Sequence, residues 1–162
     1  MVYFHLVSEP NGYLSNWYLS DFSLNGIRFI CVEQCMMWFK AQLFGDSITS
    51  QKILESSNPS DMKSLGRTVK NYVDSKWASV RYDVVKNALL AKFSQNDELK
   101  CKLLATDGEF AECAVNDLVW GIGIDMRDSA RFDRRQWRGQ NLLGLALQEV
   151  YSELKEVSEW KD

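Results

Sequence analysis

The sequence predicts an α+β protein, mostly helical with a small sheet, folded as a single domain over residues 1–162. Three observations lead there. Apolar residues recur at helical spacing through most of the chain after Glu33, and an Asn25-Gly26 pair sits between two short alternating segments near the start. No repeat, low-complexity stretch or Pro/Gly-rich linker divides the 162 residues. That length suffices for a hydrophobic core, and the hydrophobic and charged fractions, 46% and 25%, are those of an ordinary globular domain.

In chain order, residues 2–7 (VYFHLV) read as a short strand. Phe22 to Ile30 reads as a β-hairpin, because Asn-Gly tolerates the positive φ angles of a type I′ turn. Helices follow at 33–45 and 47–56, and Pro59 opens another that ends near Gly66. Asp74 caps a longer helix with Trp77, Val80, Val84, Ala88 and Leu89 on one stripe. Asn96 caps the next, with Leu99, Leu103 and Leu104 facing inward. Strand-like pieces come at 109–114 and 118–122. A last amphipathic helix from 141 to 157 carries Leu142, Leu143, Ala146, Val150, Leu154 and Val157. Before it, IDMRDSARFDRRQWRG is rich in Arg and Asp and reads as a long functional loop.

Composition excludes several classes. A net charge of −3 argues against a general nucleic-acid coat, which needs an excess of Lys and Arg. The start lacks a basic region followed by an apolar run, so no secretory signal is expected, and no stretch is apolar enough to span a membrane. The four Cys lack zinc-type pair spacing and there is one His, so neither a metal nor an organic cofactor is expected. Free thiols in a reducing cytoplasm are the simplest reading. Six Trp in so short a chain suggest that some line a pocket where a flat ligand stacks.

Three constellations carry chemistry. Glu33 and Lys40 lie seven positions apart in EQCMMWFKAQLF, about two turns of helix, so both project from nearly one face. The residues between them are apolar on every side, which marks a buried helix. Burial raises the pKa of a carboxylate and lowers that of an amine. The pair then serves as a general acid and an amine nucleophile, or it is a solvated surface pair or an internal ion pair with no catalytic task. The second is Asp117 with Trp120, Gly121 and Gly123, either a pocket wall where backbone approaches a ligand or a strand followed by a turn. The third is Arg138 and Asn141 at the start of the last helix, fed by Arg127, Arg131, Arg134 and Arg135. A helix N-terminus with guanidinium groups suits a phosphate; alternatively Asn141 caps the helix and the arginines pair with Asp125, Asp128 and Asp133.

Read together, these pieces resemble the NADAR (YbiA-like) family. Tyr13-Leu14-Ser15-Asn16-Trp17-Tyr18 with Asn25-Gly26 resembles its opening segment, and EQCMMWFKA resembles its helix with glutamate and lysine at the same spacing. Leu65-Gly66-Arg67, Trp77 with Arg81, and Ala91-Lys92-Phe93 with Gln95-Asn96 resemble the middle blocks. Glu112, Asp117, Trp120-Gly121-Ile122-Gly123 and Gly139-Gln140-Asn141-Leu142-Leu143-Gly144 resemble the C-terminal blocks. Trp38-Phe39 and Cys35 depart from the family pattern, smaller residues being usual before the lysine and an aromatic at position 35.

The resemblance implies an N-glycosidase acting on a small phosphorylated ribosylamine of riboflavin synthesis or on an ADP-ribose conjugate, with ADP-ribosylated guanine in nucleic acid as the other substrate class. It implies Glu33, Lys40 and Asp117 as catalytic residues. It places Asn16, Trp77, Arg81, Glu112, Trp120, Gly121, Gly123, Arg138 and Asn141 around the substrate. A non-catalytic ADP-ribose or NAD binding module is the alternative from another class.

Overall fold

The computed structural model describes residues 1–159; the last three residues of the predicted span lie outside the described residues. The fold is mostly helical with a small amount of sheet, as the periodicity predicts. The chain forms two compact units, Leu19–Asn96 and residues 1–18 together with the chain from Asp97 onward.

In the Leu19–Asn96 unit, strands β2 (Phe22–Leu24) and β3 (Ile27–Phe29), numbered after a first strand in the other unit, form an antiparallel hairpin with Phe22 opposite Phe29. Asn25 and Gly26 take φ of 51° and 77°, the positive pair that the type I′ turn requires. Helix α1 (Val32–Leu43) follows and packs against α2 (Ser47–Glu55), α3 (Pro59–Arg67) and α5 (Arg81–Gln95). Contact on several sides explains why α1 buries even polar residues: Val32 through Met37 are all buried. Gln34 answers the polar cost. Its amide donates to the carbonyls of Ile53, Leu54 and Ser56 and its oxygen accepts from the N–H of Ile30. Asp46 caps α2 through the N–H of Thr49 and also accepts from the N–H of Lys70. Asn58 caps α3, with Pro59 in its first turn.

The long helix expected from Asp74 is broken into α4 (Asp74–Ala78) and α5. The Ser79 hydroxyl donates to the carbonyl of Lys76, and a serine bonded back to its own helix competes with the backbone ladder. Val73, not Asp74, occupies the cap position of α4. Trp77, Ala88 and Leu89 are buried across the break, so the predicted stripe still faces the core. Asn96 stands directly before the following helix in extended backbone, and its amide donates to the carbonyls of Lys92 and Asp21, closing the end of α5.

In the other unit, β1 (Val2–Phe4) pairs in parallel with β4 (Phe110–Glu112), Val2 opposite Phe110. Helix α7 (Leu142–Glu159) packs on β4 and on α6 (Asp97–Leu104). Ala111, Cys113, Ile122 and Ile124 form a buried cluster against which Tyr3, Met126 and Trp137 pack. Residues 118–122 are not a strand. Leu118 is 51% exposed and the segment turns, because the Asp117 Oδ1 accepts from the N–H groups of Val119 and Trp120. Among the described residues no helix is long and apolar enough to cross a membrane.

Candidate active site

In the Leu19–Asn96 unit, Glu33 lies in the first turn of α1 and Lys40 in its last. Glu33 is buried, whereas Lys40 is partly exposed, so a ligand can reach the amine. The Lys40 Nζ lies 4.5 Å from the centroid of the Tyr72 ring. Tyr72 is held from two sides: its hydroxyl donates to the Asp74 Oδ1 at 2.8 Å, and Phe44 meets its ring edge-on at 5.4 Å.

Burial lowers the Lys40 pKa below the ordinary lysine value, and the charge of Arg67 adds to that effect; Glu33 and Asp74 oppose it. The direction expected from the apolar flanks of α1 therefore holds for Lys40. A neutral amine is the nucleophilic form, so a depressed pKa enlarges the reactive fraction near neutral pH. Trp77 is buried in α4, and Arg81 begins α5 half-buried, with its Nε enclosed and making no hydrogen bond among the described residues.

The departures from the family pattern are taken up by packing. Trp38 stands edge-on to Phe29 at 5.8 Å and to Phe39 at 5.0 Å, and Cys35 is fully buried.

One residue escaped the sequence reading except as part of a motif. Lys92 on α5 is fully buried, and burial pulls its pKa down to about 7, with Cys31 opposing. Its position was legible: it lies three and four residues after Leu89 and Ala88, on their buried face. Enclosure separates it functionally from Lys40, since an amine without exposed surface meets no substrate.

The remaining predicted residues lie in the other unit. Asn16 is buried, and its Oδ1 makes no hydrogen bond among the described residues. Glu112 ends β4. Asp117 spends Oδ1 on its own turn, which presents Trp120 half-buried. Gly121 and Gly123 lie in a close crossing with residues 138–143. There the N–H groups of Arg138 and Gly139 donate to the carbonyl of Ile122, Gln140 to Leu118, Asn141 to Gly121, Leu142 to Val119 and Leu143 to Trp120.

That crossing changes the expectation of an anion seat at the start of α7. The N–H groups that a phosphate needs there are used by carbonyls of the 118–122 segment. The Asn141 side chain is used as well: its amide donates to the carbonyl of Phe110 at 2.9 Å and its oxygen accepts from the N–H of Glu112 at 3.2 Å. The left-handed φ of 54° at Asn141, which asparagine tolerates, makes this stitch possible. In the feeding loop Arg127 pairs with Asp125, Arg135 with Asp133 and Arg134 with Glu109. Arg138 is exposed.

Asn141→Ala is accordingly expected to lower stability by about 2–4 kcal/mol, since it strands a part-buried N–H and a buried carbonyl. Thermal denaturation should show a fall of roughly 5–15 °C. A raised KM at unchanged melting temperature would instead make Asn141 a substrate contact.

Residues 3–155 match the NADAR domain. The chain belongs to the NADAR family. It is 35% identical over 161 residues to N-glycosidase R617 of Acanthamoeba polyphaga mimivirus, covering 94% of this chain and 95% of that protein. It is 39% identical over 138 residues to protein irg-1 of Caenorhabditis elegans, covering 83% of this chain and 65% of that protein's length. A riboflavin biosynthesis protein of Vibrio vulnificus is 30% identical over 156 residues, 96% of this chain but 39% of that longer protein. The NMR structure of YbiA from Escherichia coli superposes with a TM-score of 0.79 at 28% identity, covering 97% of this chain and 86% of that one.

Proposed function

We propose that this NADAR-family N-glycosidase hydrolyses the bond between a base nitrogen and C1 of a phosphorylated ribose, using Lys40 as the nucleophile. The observation that carries the reading is the Lys40 amine, reachable by a ligand, lowered in proton affinity, and on one helix with a buried carboxyl. The relatives named N-glycosidase support the reaction class, and the relative named for riboflavin biosynthesis supports a pyrimidine ribosylamine as substrate.

The chemistry follows from the two groups. Ring opening of a ribosylamine leaves C1 at the aldehyde level as a protonated imine to the base, the ring oxygen taking a proton from the Glu33 carboxyl. Neutral Lys40 adds to C1, the departing nitrogen takes the proton that Nζ sheds, and the C1–N bond to the base breaks, leaving C1 bonded to Nζ as a protonated Schiff base. Water then adds to C1, gives up its proton to a carboxylate, and releases the sugar with the amine restored.

The test is base release, followed by chromatography, from a phosphoribosylamino-pyrimidine and from an ADP-ribosylated guanine oligonucleotide side by side. Release from the pyrimidine compound is the expected result. Release from the oligonucleotide alone, falling steeply with salt, would move the substrate to modified nucleic acid. Binding of either without release would make the protein a binding module.

A further inference from the structure

We propose that Arg81, whose enclosed Nε finds no partner among the described residues, forms with Arg67 the seat for the substrate's phosphate. This rests on the reading of a phosphorylated ribose as substrate and says where that phosphate docks.

Cationic groups approach Tyr72 and Lys40 from more than one element. The Lys40 amine lies over the ring, Arg67 at the end of α3 is close enough to disfavour the Lys40 ammonium, and Arg81 is close enough to act on the Tyr72 hydroxyl. The carboxylates that favour the Lys40 ammonium are both placed elsewhere. Asp74 is engaged with the Tyr72 hydroxyl, and Glu33 lies buried at the other end of α1. Neither Arg67 nor Arg81 forms an ion pair among the described residues. The loop arginines Arg127, Arg134 and Arg135 each hold a carboxylate, so they are poorer candidates for an incoming anion.

Arg81 supplies an independent sign. Its Nε–H is enclosed yet makes no hydrogen bond among the described residues, although buried donors are nearly always satisfied. An oxyanion would satisfy it and add the bidentate geometry that guanidinium favours. Arg81 is the first residue of α5, which has no side-chain cap at Val80 and carries Asp83 in its first turn. The two arginines can neutralise a phosphate while Lys40 keeps its amine for C1.

The ligand chemistry is a phosphate ester, and two sources share it: a ribose 5-phosphate and the diphosphate of ADP-ribose. Calorimetric titration of the whole protein with ribose 5-phosphate, ADP-ribose and unphosphorylated ribose separates them. Wild type is compared with Arg67→Gln, Arg81→Gln, Arg138→Gln and, as a control for loss of a surface charge, Arg28→Gln. We expect Arg67→Gln and Arg81→Gln each to weaken ribose 5-phosphate by about tenfold or more, with ribose affinity and melting temperature held. Arg81→Lys, which keeps the charge, should recover part of the loss. The same loss seen with ADP-ribose alone assigns the seat to a diphosphate. The site is overturned if neither arginine variant changes phosphate affinity, or if Arg138→Gln removes it instead. Because binding is read without turnover, a protein that binds through these arginines but releases no base keeps the site and loses the glycosidase reading. A protein whose activity ignores both arginines does the reverse.

Discussion

Replacing Lys40 by alanine is expected to cut kcat for base release by roughly a thousandfold or more, about 4 kcal/mol of transition-state stabilisation, with little change in melting temperature. Lys40 lies at a partly exposed helix end and contacts the Tyr72 ring, so its loss leaves the core intact. Borohydride treatment during turnover should trap the sugar on wild-type protein, and peptide mapping should find the adduct on Lys40. The mapping matters because a second lysine, Lys92, also has a depressed pKa but no exposed surface. An active preparation that yields no adduct would sink the Schiff-base route and leave direct carboxylate-assisted hydrolysis in its place. The pH dependence has a determined sign. The mechanism requires the neutral amine, so the limb set by Lys40 rises with pH, and it lies below that of an ordinary lysine because burial and Arg67 disfavour the ammonium. Arg67→Gln removes one of those effects and should move the limb to higher pH. Asp74→Asn removes a charge that favours the ammonium and should move it lower.

What was legible in the sequence is what local pattern determines. Asn25-Gly26 specified its turn because few residue pairs accept two positive φ values, and α1 announced itself through an apolar stripe flanked by an acid and a base. Glu33 and Lys40 were readable as a pair because one helix fixes their relation. Their surroundings were not, since Tyr72 meets Lys40 from outside α1 and the charges of Arg67 and Arg81 act from α3 and α5, none of which periodicity records. The break at Ser79, where a hydroxyl turns back to Lys76, is a feature helical spacing does not register. Residues 118–122 have the composition of a strand, but their carbonyls are satisfied by residues 138–143 rather than by a neighbouring strand. The same partnership, invisible in sequence, uses the N–H groups that had suggested an anion seat at α7.

Gly139→Ala should therefore be among the most destabilising single changes in this chain. Its φ is not positive, so the requirement for glycine is one of space. A Cβ there would collide with the carbonyl oxygen of Gly121 and lie 3.0 Å from its carbonyl carbon and 3.1 Å from that of Ile122. Backbone cannot swing aside as a side chain can, so the two segments must part and stretch the hydrogen bonds that Arg138 to Leu143 donate across the crossing. We expect a loss of about 3–5 kcal/mol, read as a fall in Tm of roughly 8–15 °C. Gly66→Ala is the matched comparison. There the obstructing atom is the sulfur of Met37, at the end of a side chain that can rotate, and alanine regains about 1 kcal/mol of helix propensity. The two substitutions add the same methyl group, so a difference in Tm isolates rigid backbone from yielding side chain as the obstacle. Equal melting temperatures would mean that the crossing has slack, and that the Asp117 turn presenting Trp120 is held by something other than the close approach of these two glycines.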